Sequence, residues 1–566
     1  MTVDDRGAVV IGAGTNPLPA PAPGLRVCVV VPARDEEELV GGCIAALSEQ
    51  RGVDDVVWEI LLVLDRCKDR TGARALEAAG GRSAPRLHAI AASGTGAGVA
   101  RAEGMEIACR RLEEAGADEA LIATTDADSR VAPDWLRRQL EAVRDGADAI
   151  GGEIELEPGE AGLLAPGTIE RRRREHAMRL RDVAGDGPVE HPHFSGASIG
   201  VTPRAFRAIG GMEARPALED EAFAARLRRS DIAIHRLASV RVSTSARTVG
   251  RALRGLSRDL QVGEWIERRT WNGGAFEVGA LAARRNVSVS VVIPAREVAG
   301  TIGTILDRLR PLGDAGLYDE LIVVDASSAD GTAEIAAAMG AEAVDENEVL
   351  AAFGPALGKG DAMWRGASLA SGDVLAFLDA DTIDFQASML TGLLGPIVTD
   401  PTVDLVKGAF DRPFKAGDEE LPGEGGRVTE LIARPLINFH FPELAGLAQP
   451  LAGETAIRRD LFAQLSVPVG YGVEIAMLVD VARRAGAGAI AQSQLGARQN
   501  RHQSLRALSL MAYQVLAAAE RRIDRGGVPG PVILPSAGGH GIDRVMPPCE
   551  ERPPLATVER PASFIA

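Results

Sequence analysis

The feature that most constrains this chain of 566 residues is an internal repeat. The segment VCVVVPAR in the first half returns as VSVVIPAR in the second half. Two aspartates that end apolar runs, Asp65 and Asp126, return in the same order as Asp325 and Asp379. The repeated segments lie much further apart in the chain than the roughly 20 to 50 residues of one solenoid repeat, so the repeat indicates a duplicated domain.

Each copy has the pattern of a parallel sheet covered by helices. Short apolar runs rich in β-branched residues alternate with amphipathic stretches, and apolar residues at helical spacing directly follow the strand SVVIP. We therefore expect an α/β protein with two tandem Rossmann-like domains, at residues 25–275 and 286–525. Residues 1–24 are predicted to form a flexible leader, and residues 526–566 a tail rich in glycine and proline outside both cores.

Charge and composition exclude several classes of function. The chain has 62 basic and 79 acidic residues, and its net charge of −17 argues against nucleic acid as the main partner. No apolar run approaches the roughly 20 residues that span a bilayer, and the start MTVDDRGAVV lacks the order of a secretory signal, so we expect a cytoplasmic protein without a membrane span. The five cysteines include no C-x-x-C pair, which predicts neither a disulfide framework nor a zinc site.

An acidic triplet ends an apolar strand in each copy, Asp126-Ala127-Asp128 in the first and Asp379-Ala380-Asp381 in the second. Carboxylates one residue apart can hold Mg²⁺ or Mn²⁺ and leave coordination positions open for diphosphate oxygens. An isolated D-x-D is more often a solvated turn. Here each triplet comes third, after V-P-A-R and a strand-end aspartate, and this order is typical of domains that bind nucleotide sugars.

The second copy resembles a known family through a series of blocks in sequence order. These are VSVVIPAR, DELIVVDASSADGT, GPALGKGDAMWRGASLASGDVLAFLDADTID, LVKGAFDRPF, GGRVTELIARPL, QPLAGE, GYGVEIAMLVD and QLGARQNRHQSL. They make residues 286–525 similar to the retaining glucosyl-3-phosphoglycerate synthases, which are relatives of the mannosyl-3-phosphoglycerate synthases. The EERPPL of the tail resembles the C-terminal end of that family. The resemblance implies a GT-A domain, the nucleotide-diphospho-sugar transferase form of the Rossmann-like fold.

The resemblance also implies a reaction. Glucose would move from a nucleotide sugar, UDP-glucose, to the 2-hydroxyl of 3-phosphoglycerate with retention of the anomeric configuration. The implied cofactor is Mg²⁺ or Mn²⁺, which would act as a Lewis acid on the departing UDP. Because no protein nucleophile is evident, we expect front-face attack assisted by the leaving diphosphate.

The family's donor-site residues carry over to matching positions of this sequence. Asp381 would ligate the divalent metal, and Glu474 of GYGVE is the second candidate catalytic residue of this copy. The candidate contacts to the nucleotide sugar are Pro294, Ala295, Asp325, Ser327, Lys359, Asp379 and Tyr471.

The acceptor site is implied by the block GGRVTEL. Gly426, Arg427 and Thr429 offer a flexible backbone, a bidentate guanidinium and a hydroxyl, which suit a phosphate or a carboxylate. Arg498 is a second candidate for the same anion. These cations would let an acidic protein bind a trianionic acceptor.

Two positions depart from the family pattern. The family has a histidine after L-G-x-R that completes the metal site, whereas this chain has Asn500 there and His502 two residues later. Either the loop shifts so that His502 serves, which we favour, or the ligand is lost. Glu297-Val298 stands where the family has Asn-Glu, which weakens the carry-over at that donor contact.

The first copy resembles the broad family-2 glycosyltransferases, a less specific match. It carries VPARDEEE, the segment FSGASIGVTPRAFRAIGG and the motif ALEDEAF. The resemblance implies that Asp65 and Asp126 contact a donor, that Asp128 ligates a metal and that Asp220 is the general base of an inverting displacement. The sequence does not indicate the acceptor of this copy.

Two alternatives stay open. The second copy could use GDP-mannose and make mannosyl-3-phosphoglycerate, or one copy, more plausibly the first, could be a module that binds or stabilises without catalysis. The expected partners are the nucleotide sugar and 3-phosphoglycerate, and a homodimer is also compatible with the sequence.

Overall fold

The computed structural model describes residues 18–80, 85–185, 187–250, 254–411, 414–416, 419–421, 426–498, 504–523, 529–535 and 542–558. This described part divides into two compact units, the first ending at Glu264 and the second beginning at Trp265. Within it, each unit contains one mixed sheet of eight strands. None of its helices is long and apolar enough to cross a membrane.

The first unit alternates strands and helices. Its strands are β1 (Leu25–Ala33), β2 (Val57–Leu64), β3 (Arg86–Ala91), β4 (Leu121–Thr124), β5 (Ser129–Val131), β6 (Ala149–Leu156), β7 (Ile199–Val201) and β8 (Ile234–Thr244). Its helices are α1 (Val40–Ser48), α2 (Thr71–Ala79), α3 (Ala97–Ala115), α4 (Trp135–Arg144), α5 (Pro158–Ala161), α6 (Pro166–Asp182), α7 (Pro203–Ala208) and α8 (Glu219–Arg229), and α9 (Leu256–Arg269) follows.

The second unit repeats this alternation and adds short elements. Its strands are β9 (Thr270–Asn272), β10 (Val289–Ala295), β11 (Glu320–Asp325), β12 (Glu342–Asp345), β13 (Val374–Phe377), β14 (Leu405–Asp411), β15 (Phe414–Ala416), β16 (Glu419–Leu421), β17 (Thr455–Arg458), β18 (Val467–Pro468), β19 (Ile490–Ala497), β20 (Val532–Pro535), β21 (Ile542–Val545) and β22 (Glu551–Arg552). Its helices are α10 (Val278–Arg284), α11 (Ala299–Asp314), α12 (Thr332–Ala338), α13 (Lys359–Leu369), α14 (Ala387–Thr399), α15 (Arg434–His440), α16 (Arg459–Phe462), α17 (Val473–Ala485) and α18 (Leu505–Glu520), with a π-helical turn at Thr429–Ala433.

The strand at the centre of each sheet is buried on both faces, because successive side chains of a strand point to opposite sides. In β1, Val27 and Val29 pack into one core and Cys28 and Val30 into the other. In the second unit, β10 divides its residues between two cores in the same way. This explains why these strands are apolar throughout rather than alternating with polar residues.

The two sheets share their strand order over most of their width. The first runs β3-β2-β1-β4-β7-β6-β8-β5, and the second runs β12-β11-β10-β13-β17-β14-β19-β9. The central strands β1, β2 and β4 are parallel to one another, as are β10, β11 and β13. Their carboxyl ends therefore meet at one edge of each sheet, where open α/β sheets bind ligands.

The division between the units falls earlier than the sequence predicts. Residues 270–272, expected to lie in a first domain of residues 25–275, form β9 and pair with β19 of the second sheet, Thr270 opposite Gln492. Trp265 also belongs to the core of the second unit, and its indole nitrogen donates to the carbonyl of Ala487 at 2.9 Å. Edge pairing and burial of a large aromatic ring explain why this stretch joins the second unit.

Candidate active site

The candidate donor residues of the second unit lie side by side at the carboxyl edge of its sheet. Pro294 and Ala295 end β10, Asp325 ends β11, and Ala295 is in register with Asp325. Asp379 follows β13 after one residue. The parallel arrangement of these strands thus gathers residues that are up to 85 positions apart in the chain.

Asp325 has one oxygen that the protein leaves unsatisfied. The side chain is buried, and its Oδ2 accepts the backbone N–H of Ser328 at 2.7 Å. Its Oδ1 is buried and has no hydrogen-bond partner among the described residues. A buried carboxylate oxygen without a partner is costly, so an N–H or O–H group of a bound molecule would be stabilising here.

Ser327 lies beside this carboxylate in a left-handed backbone conformation, with φ of 52°. Its hydroxyl donates to Asp345 Oδ2 at 2.6 Å and accepts from the amide of Asn347 at 3.2 Å. These bonds fix the loop that follows β11. Glu297, the residue that departs from the family pattern, accepts the backbone N–H of Ala329 at 3.0 Å and so serves the same loop.

Lys359 and Asp379 form an ion pair at the centre of the site. Lys359 is the first residue of α13, and its Nζ lies 2.7 Å from Asp379 Oδ1 and 2.9 Å from Glu474 Oε1. Burial opposes ionisation of Asp379, but the neighbouring cations Lys359 and Arg498 outweigh it and hold the pKa of this carboxyl well below its usual range. Asp379 is therefore an anion at any physiological pH.

Glu474 is buried near the start of α17, whereas Tyr471, three residues earlier, is partly exposed. The backbone N–H of Tyr471 donates to the side chain of Gln514 at 3.1 Å. Burial raises the pKa of the Tyr471 hydroxyl, so this side chain stays a neutral donor. A Cβ at Gly453 would overlap the carboxylate of Asp379, which explains the glycine in the block QPLAGE.

Arg498 lies directly after β19 and is fully buried. Its guanidinium pairs with Glu454, lies 3.1 Å from Asp379 Oδ2 and lies 3.5 Å from Asp381 Oδ1. The sequence predicts Arg498 as a contact to the anionic acceptor, and this role stays a prediction; in the structure its guanidinium pairs with these carboxylates. Asp381 is the more open of the aspartate pair, with 41% of its side chain exposed.

Glu454 and Lys407 belong to this cluster, although sequence reasoning missed both. Burial, followed by the charge of Asp379, raises the pKa of Glu454. Lys407 is fully buried in β14, where its Nζ donates to Thr455 Oγ1 at 2.9 Å and to the carbonyl of Ala452. Lys407 could have been found from the sequence, because it is a lysine within the apolar strand LVKGAF. An unpaired charge is rarely placed in a core, so a lysine there indicates polar partners.

The proposed acceptor segment begins the π-helical turn. Gly426 has a left-handed φ of 75°, and its carbonyl accepts the N–H of Glu430 at 3.0 Å. Thr429 is buried, and Arg427 is half-buried and in contact with other groups. His502, the predicted metal ligand, lies outside the described residues, as does Asn500. The roles of these residues stay predictions.

The first unit contains a cluster built in the same way around Arg101. This buried arginine of α3 lies 2.6 Å from Asp126 Oδ1 and 2.9 Å from Glu219 Oε1. It also donates to Thr124 Oγ1 at 2.7 Å and to the carbonyl of Gly196 at 2.9 Å. Arg101 thus bridges the first aspartate of the triplet to a glutamate at the start of a helix, as Lys359 does in the second unit.

The cation that joins the two carboxylates stands one helical turn later in α3, as Arg101, than in α13, as Lys359. The Gly-x-Gly that opens α13 around Lys359 matches Gly96-Ala97-Gly98 at the start of α3, where alanine replaces the lysine. Arg101 follows one turn later and restores the charge from a different position. Sequence reasoning missed Arg101, and within the motif ALEDEAF it selected Asp220, whereas the neighbouring Glu219 makes the ion pair with Arg101.

Asp128 and Asp220 have different surroundings in the first unit. Asp128 Oδ2 lies 2.7 Å from Arg247, which also pairs with Glu36 at 2.6 Å. Burial and then the charge of Asp126 raise the pKa of Asp128 to about 6. Asp220, the predicted base, accepts the N–H of Gly196 at 3.1 Å, and the ion pair with Arg101 is made by its neighbour Glu219 instead.

Asp65 repeats the behaviour of Asp325. It is buried at the end of β2, where its Oδ2 accepts the N–H of Gly96 at 2.8 Å. Its Oδ1 is buried without a hydrogen-bond partner in the described part of the chain. Both units therefore present an unsatisfied carboxylate oxygen at the same edge of the sheet.

The comparison with known families decides the assignment. The model described as "Glycosyl transferase family 2" matches residues 28–202 and 290–453, which include the acidic triplets of both units. The chain belongs to glycosyl transferase family 2. It is a glycosyltransferase, and both units contain a stretch of the family-2 pattern.

Named relatives narrow the comparison. The chain is 40% identical over 298 residues to the glucosyl-3-phosphoglycerate synthase of Mycolicibacterium smegmatis, covering 52% of this chain and 98% of that protein. Among solved structures, it is similar to mannosyl-3-phosphoglycerate synthase from Rubrobacter xylanophilus, with 42% identity, a TM-score of 0.49, and coverage of 52% of this chain and 99% of that one. It is also similar to glucosyl-3-phosphoglycerate synthase from Mycobacterium tuberculosis in complex with Mn²⁺, UDP-glucose and phosphoglyceric acid, with 36% identity, a TM-score of 0.46, and coverage of 51% and 97%.

Proposed function

We propose that the second unit transfers glucose from UDP-glucose to the 2-hydroxyl of 3-phosphoglycerate with retention of configuration. The observation that carries the proposal is that Lys359 and Asp379, from one block of the sequence, meet Glu474 of a distant block in one ion-paired cluster. The identity to glucosyl-3-phosphoglycerate synthase over nearly the whole length of that relative supports the same function.

The nucleoside of the donor would bind at the ends of β10 and β11. The unsatisfied Oδ1 of Asp325 would accept a hydrogen bond from an N–H of the base or a hydroxyl of the ribose. Pro294 and Ala295 offer an apolar wall directly beside it. Binding the donor would relieve the cost of that buried oxygen, which gives the site a preference for a ligand with a donor group there.

A divalent metal fits the residues at the end of β13. Carboxylate oxygens are the ligands that Mg²⁺ and Mn²⁺ prefer, and Asp381 would hold the ion with its exposed carboxylate, beside Asp379. When bound, the metal supplies Lewis-acid stabilisation of the departing diphosphate. Lys359 and Arg498 keep the neighbouring carboxylate of Asp379 ionised and oriented.

The acceptor would bind at the turn of Gly426, Arg427 and Thr429. A guanidinium and a hydroxyl beside a glycine in a left-handed conformation suit a phosphate or a carboxylate. The acceptor's 2-hydroxyl would attack from the face of the leaving diphosphate, which would take up its proton.

We also propose that the first unit is a second glycosyltransferase. One support is the family-2 pattern over residues 28–202. The other is the ion-paired cluster in which Arg101 joins Asp126 of the acidic triplet to Glu219, as Lys359 joins Asp379 to Glu474 in the second unit.

Paired alanine variants test both proposals. Asp379→Ala with Asp381→Ala should abolish formation of glucosyl-3-phosphoglycerate from UDP-glucose, because the metal and the ion-paired cluster are lost. Asp126→Ala with Asp128→Ala should leave that product unchanged and remove a second product. Each variant would be incubated with UDP-glucose or GDP-mannose and with 3-phosphoglycerate, glycerate or glucosyl-3-phosphoglycerate as the acceptor. Mass spectrometry would identify the products.

Asp384→Ala is the matched control, because Asp384 is exposed in the same loop as Asp381. It should retain full activity. Unchanged turnover in the Asp379/Asp381 variant would contradict the function proposed for the second unit. Mannosyl-3-phosphoglycerate as the main product would favour GDP-mannose as the donor. If every product survives the loss of Asp126 and Asp128, the first unit is a non-catalytic module.

A further inference from the structure

We propose that Arg552, close to the C-terminus, is a positioning residue for the donor end of the second unit and acts on Lys359 through Asp361. The inference rests on the proposed function, in which Lys359 belongs to the donor site. We call residues 548–558 the C-terminal strap. The sequence predicts this segment to lie outside both cores, but Leu555 and Val558 pack against the core of the second unit.

Arg552 uses its whole guanidinium on the first turn of α13 and on the segment that precedes this helix. Its Nε donates to Asp361 Oδ1 at 3.0 Å, its Nη1 to the carbonyl of Phe353 at 2.8 Å and its Nη2 to the carbonyl of Pro355 at 3.1 Å. Its Nη2 also pairs with the second oxygen of Asp361. A planar fork that binds a carboxylate with two donors fixes both distance and orientation.

Asp361 transmits this fixation to Lys359. Asp361 is fully buried at the third position of α13, two residues after Lys359. Its Oδ2 accepts the backbone N–H of Leu357 at 3.0 Å, so the carboxylate closes the turn that leads into the helix. The backbone from Leu357 to Asp361 is thereby held in one conformation, and from it the side chain of Lys359 reaches Asp379 and Glu474.

The strap supports the same helix end from a second side. Strand β22 pairs with β18, with Arg552 opposite Val467, and the N–H of Val469 donates to the carbonyl of Glu550 at 3.0 Å. The carbonyl of Val469 in turn accepts the N–H of Asp361 at 3.0 Å. A Cβ on Gly360 would overlap the carbonyl of Pro468, so helix and strand are in direct backbone contact.

This strand continues directly into the segment with Tyr471 and Glu474. The side chain of Gln514 accepts the N–H of Tyr471 at 3.1 Å and donates to the carbonyl of Pro548 in the strap, also at 3.1 Å. The strap is therefore linked by hydrogen bonds to the two segments that carry Lys359 and Glu474. Within the strap, Arg552 is the residue that contacts the segment of Lys359, through Asp361.

The strap keeps other attachments when the Arg552 side chain is changed. The indole of Trp364 donates to the carbonyl of Pro553 at 2.9 Å, and the N–H of Ala556 donates to the carbonyl of Ala463 at 2.8 Å. Asp361 also keeps its ion pair with Arg365, whose Nε lies 3.1 Å away. A substitution of Arg552 therefore tests positioning and leaves the main anchors of the strap in place.

The test compares Arg552→Gln and Arg552→Lys with the wild-type chain. Arg552→Gln should weaken UDP-glucose binding in the presence of Mn²⁺ by about ten- to a hundred-fold, since misplacement of a site residue by about 1 Å can cost this much. Binding of 3-phosphoglycerate should change little. Arg552→Lys should restore part of the affinity, because it keeps the charge but loses the fork. Arg544→Gln, an exposed arginine earlier in the same tail, is the matched control.

A double-mutant cycle separates positioning from a general effect on folding. In a Lys359→Met background, Arg552→Gln should no longer change UDP-glucose affinity, because its effect passes through Lys359. An equal loss in that background would overturn the inference. So would unchanged affinity of Arg552→Gln together with a lowered melting temperature, which would make Arg552 a purely structural residue.

Hydrogen exchange of the ligand-free protein provides a readout that does not depend on the proposed function. Arg552→Gln should lower amide protection at residues 359–363 and leave the central strands β10 and β13 protected. If the wild-type chain fails to bind UDP-glucose, the proposed function is wrong, and this measurement still decides the inference. Unchanged protection at residues 359–363 would overturn it.

Discussion

At the scale of single residues, the second unit holds a buried lysine that faces carboxylates without a direct ion pair. Burial, only partly offset by the charge of Glu474, lowers the pKa of Lys407 to about 8. An unfolded lysine titrates near its ordinary value of about 10.4. Between these two values the folded chain has released a proton that the unfolded chain still binds, so unfolding takes up a proton and stability rises with pH.

Lys407→Met should remove this pH dependence. Relative to the variant, the free energy of unfolding of the wild-type chain should rise between pH 8 and 10.5 by roughly 2 to 3 kcal/mol, at 1.36 kcal/mol per pKa unit. Urea unfolding of both proteins across this range measures the difference. The cysteines of the unfolded chain titrate in the same range, since their ordinary pKa is about 8.5, but they are common to both proteins and their contribution cancels. A difference that is flat with pH would show that Lys407 is charged in the folded state.

Some residues of the site lie in local sequence motifs, and others are brought together only by the fold. Asp379 and Lys359 stand in local motifs, a D-x-D after an apolar strand and a G-K-G before a helix, and both were predicted as donor contacts. Glu454 and Arg101 meet their partners only because distant strands and helices converge on one sheet edge. A sequence without relatives aligned to it does not show which distant charges will pair.

At the scale of elements, the helix that precedes the strand ended by the acidic triplet, α13 in the second unit and α3 in the first, packs closely on the sheet. Gly366 of α13 lies over Val292 and Val324, and Gly104 of α3 lies over Val30 and Val63. Each glycine thus lies over two central strands, at whose carboxyl ends we propose the donor to bind. The βα alternation was predicted from hydrophobic spacing, but this close approach was not, because a glycine in a helix carries no periodic signal.

Gly366→Ala should destabilise the second unit through this contact. A Cβ there would lie 2.5 Å from Val292 Cγ1 and 2.8 Å from Val324 Cγ2, and overpacking of this kind costs about 1 to 3 kcal/mol. Gly303→Ala in α11 is the control, because its Cβ would meet Ile335 at an ordinary 3.5 Å. That change should stabilise by about 0.5 to 1 kcal/mol through helix propensity. Chemical unfolding of both variants measures the contrast, and equal stabilities would contradict the packing argument.

At the scale of the whole molecule, the repeat predicted two domains, and the described residues contain two units with closely matched sheets. The boundary was misplaced because the stretch between the repeats has no internal counterpart to align. β9 has only three residues, too few for a periodic pattern. Its pairing with β19 and the burial of Trp265 depend on the folded second sheet, so local sequence could not reveal them.

A fragment of residues 286–566 should therefore be less stable than one of residues 256–566. The shorter fragment loses β9 and exposes the edge of β19, and it loses Trp265, which packs against Gly446, and Phe276, which packs against Gly395. Removing one buried aromatic side chain costs about 3 to 5 kcal/mol, and each kcal/mol shifts the melting temperature of a unit this size by about 2 to 4 °C. We expect the melting temperature to fall by at least about 6 °C, measured by differential scanning calorimetry. Introducing Trp265→Ala into the longer fragment should reproduce part of the loss, whereas equal melting temperatures of the two fragments would place the boundary back at residue 286.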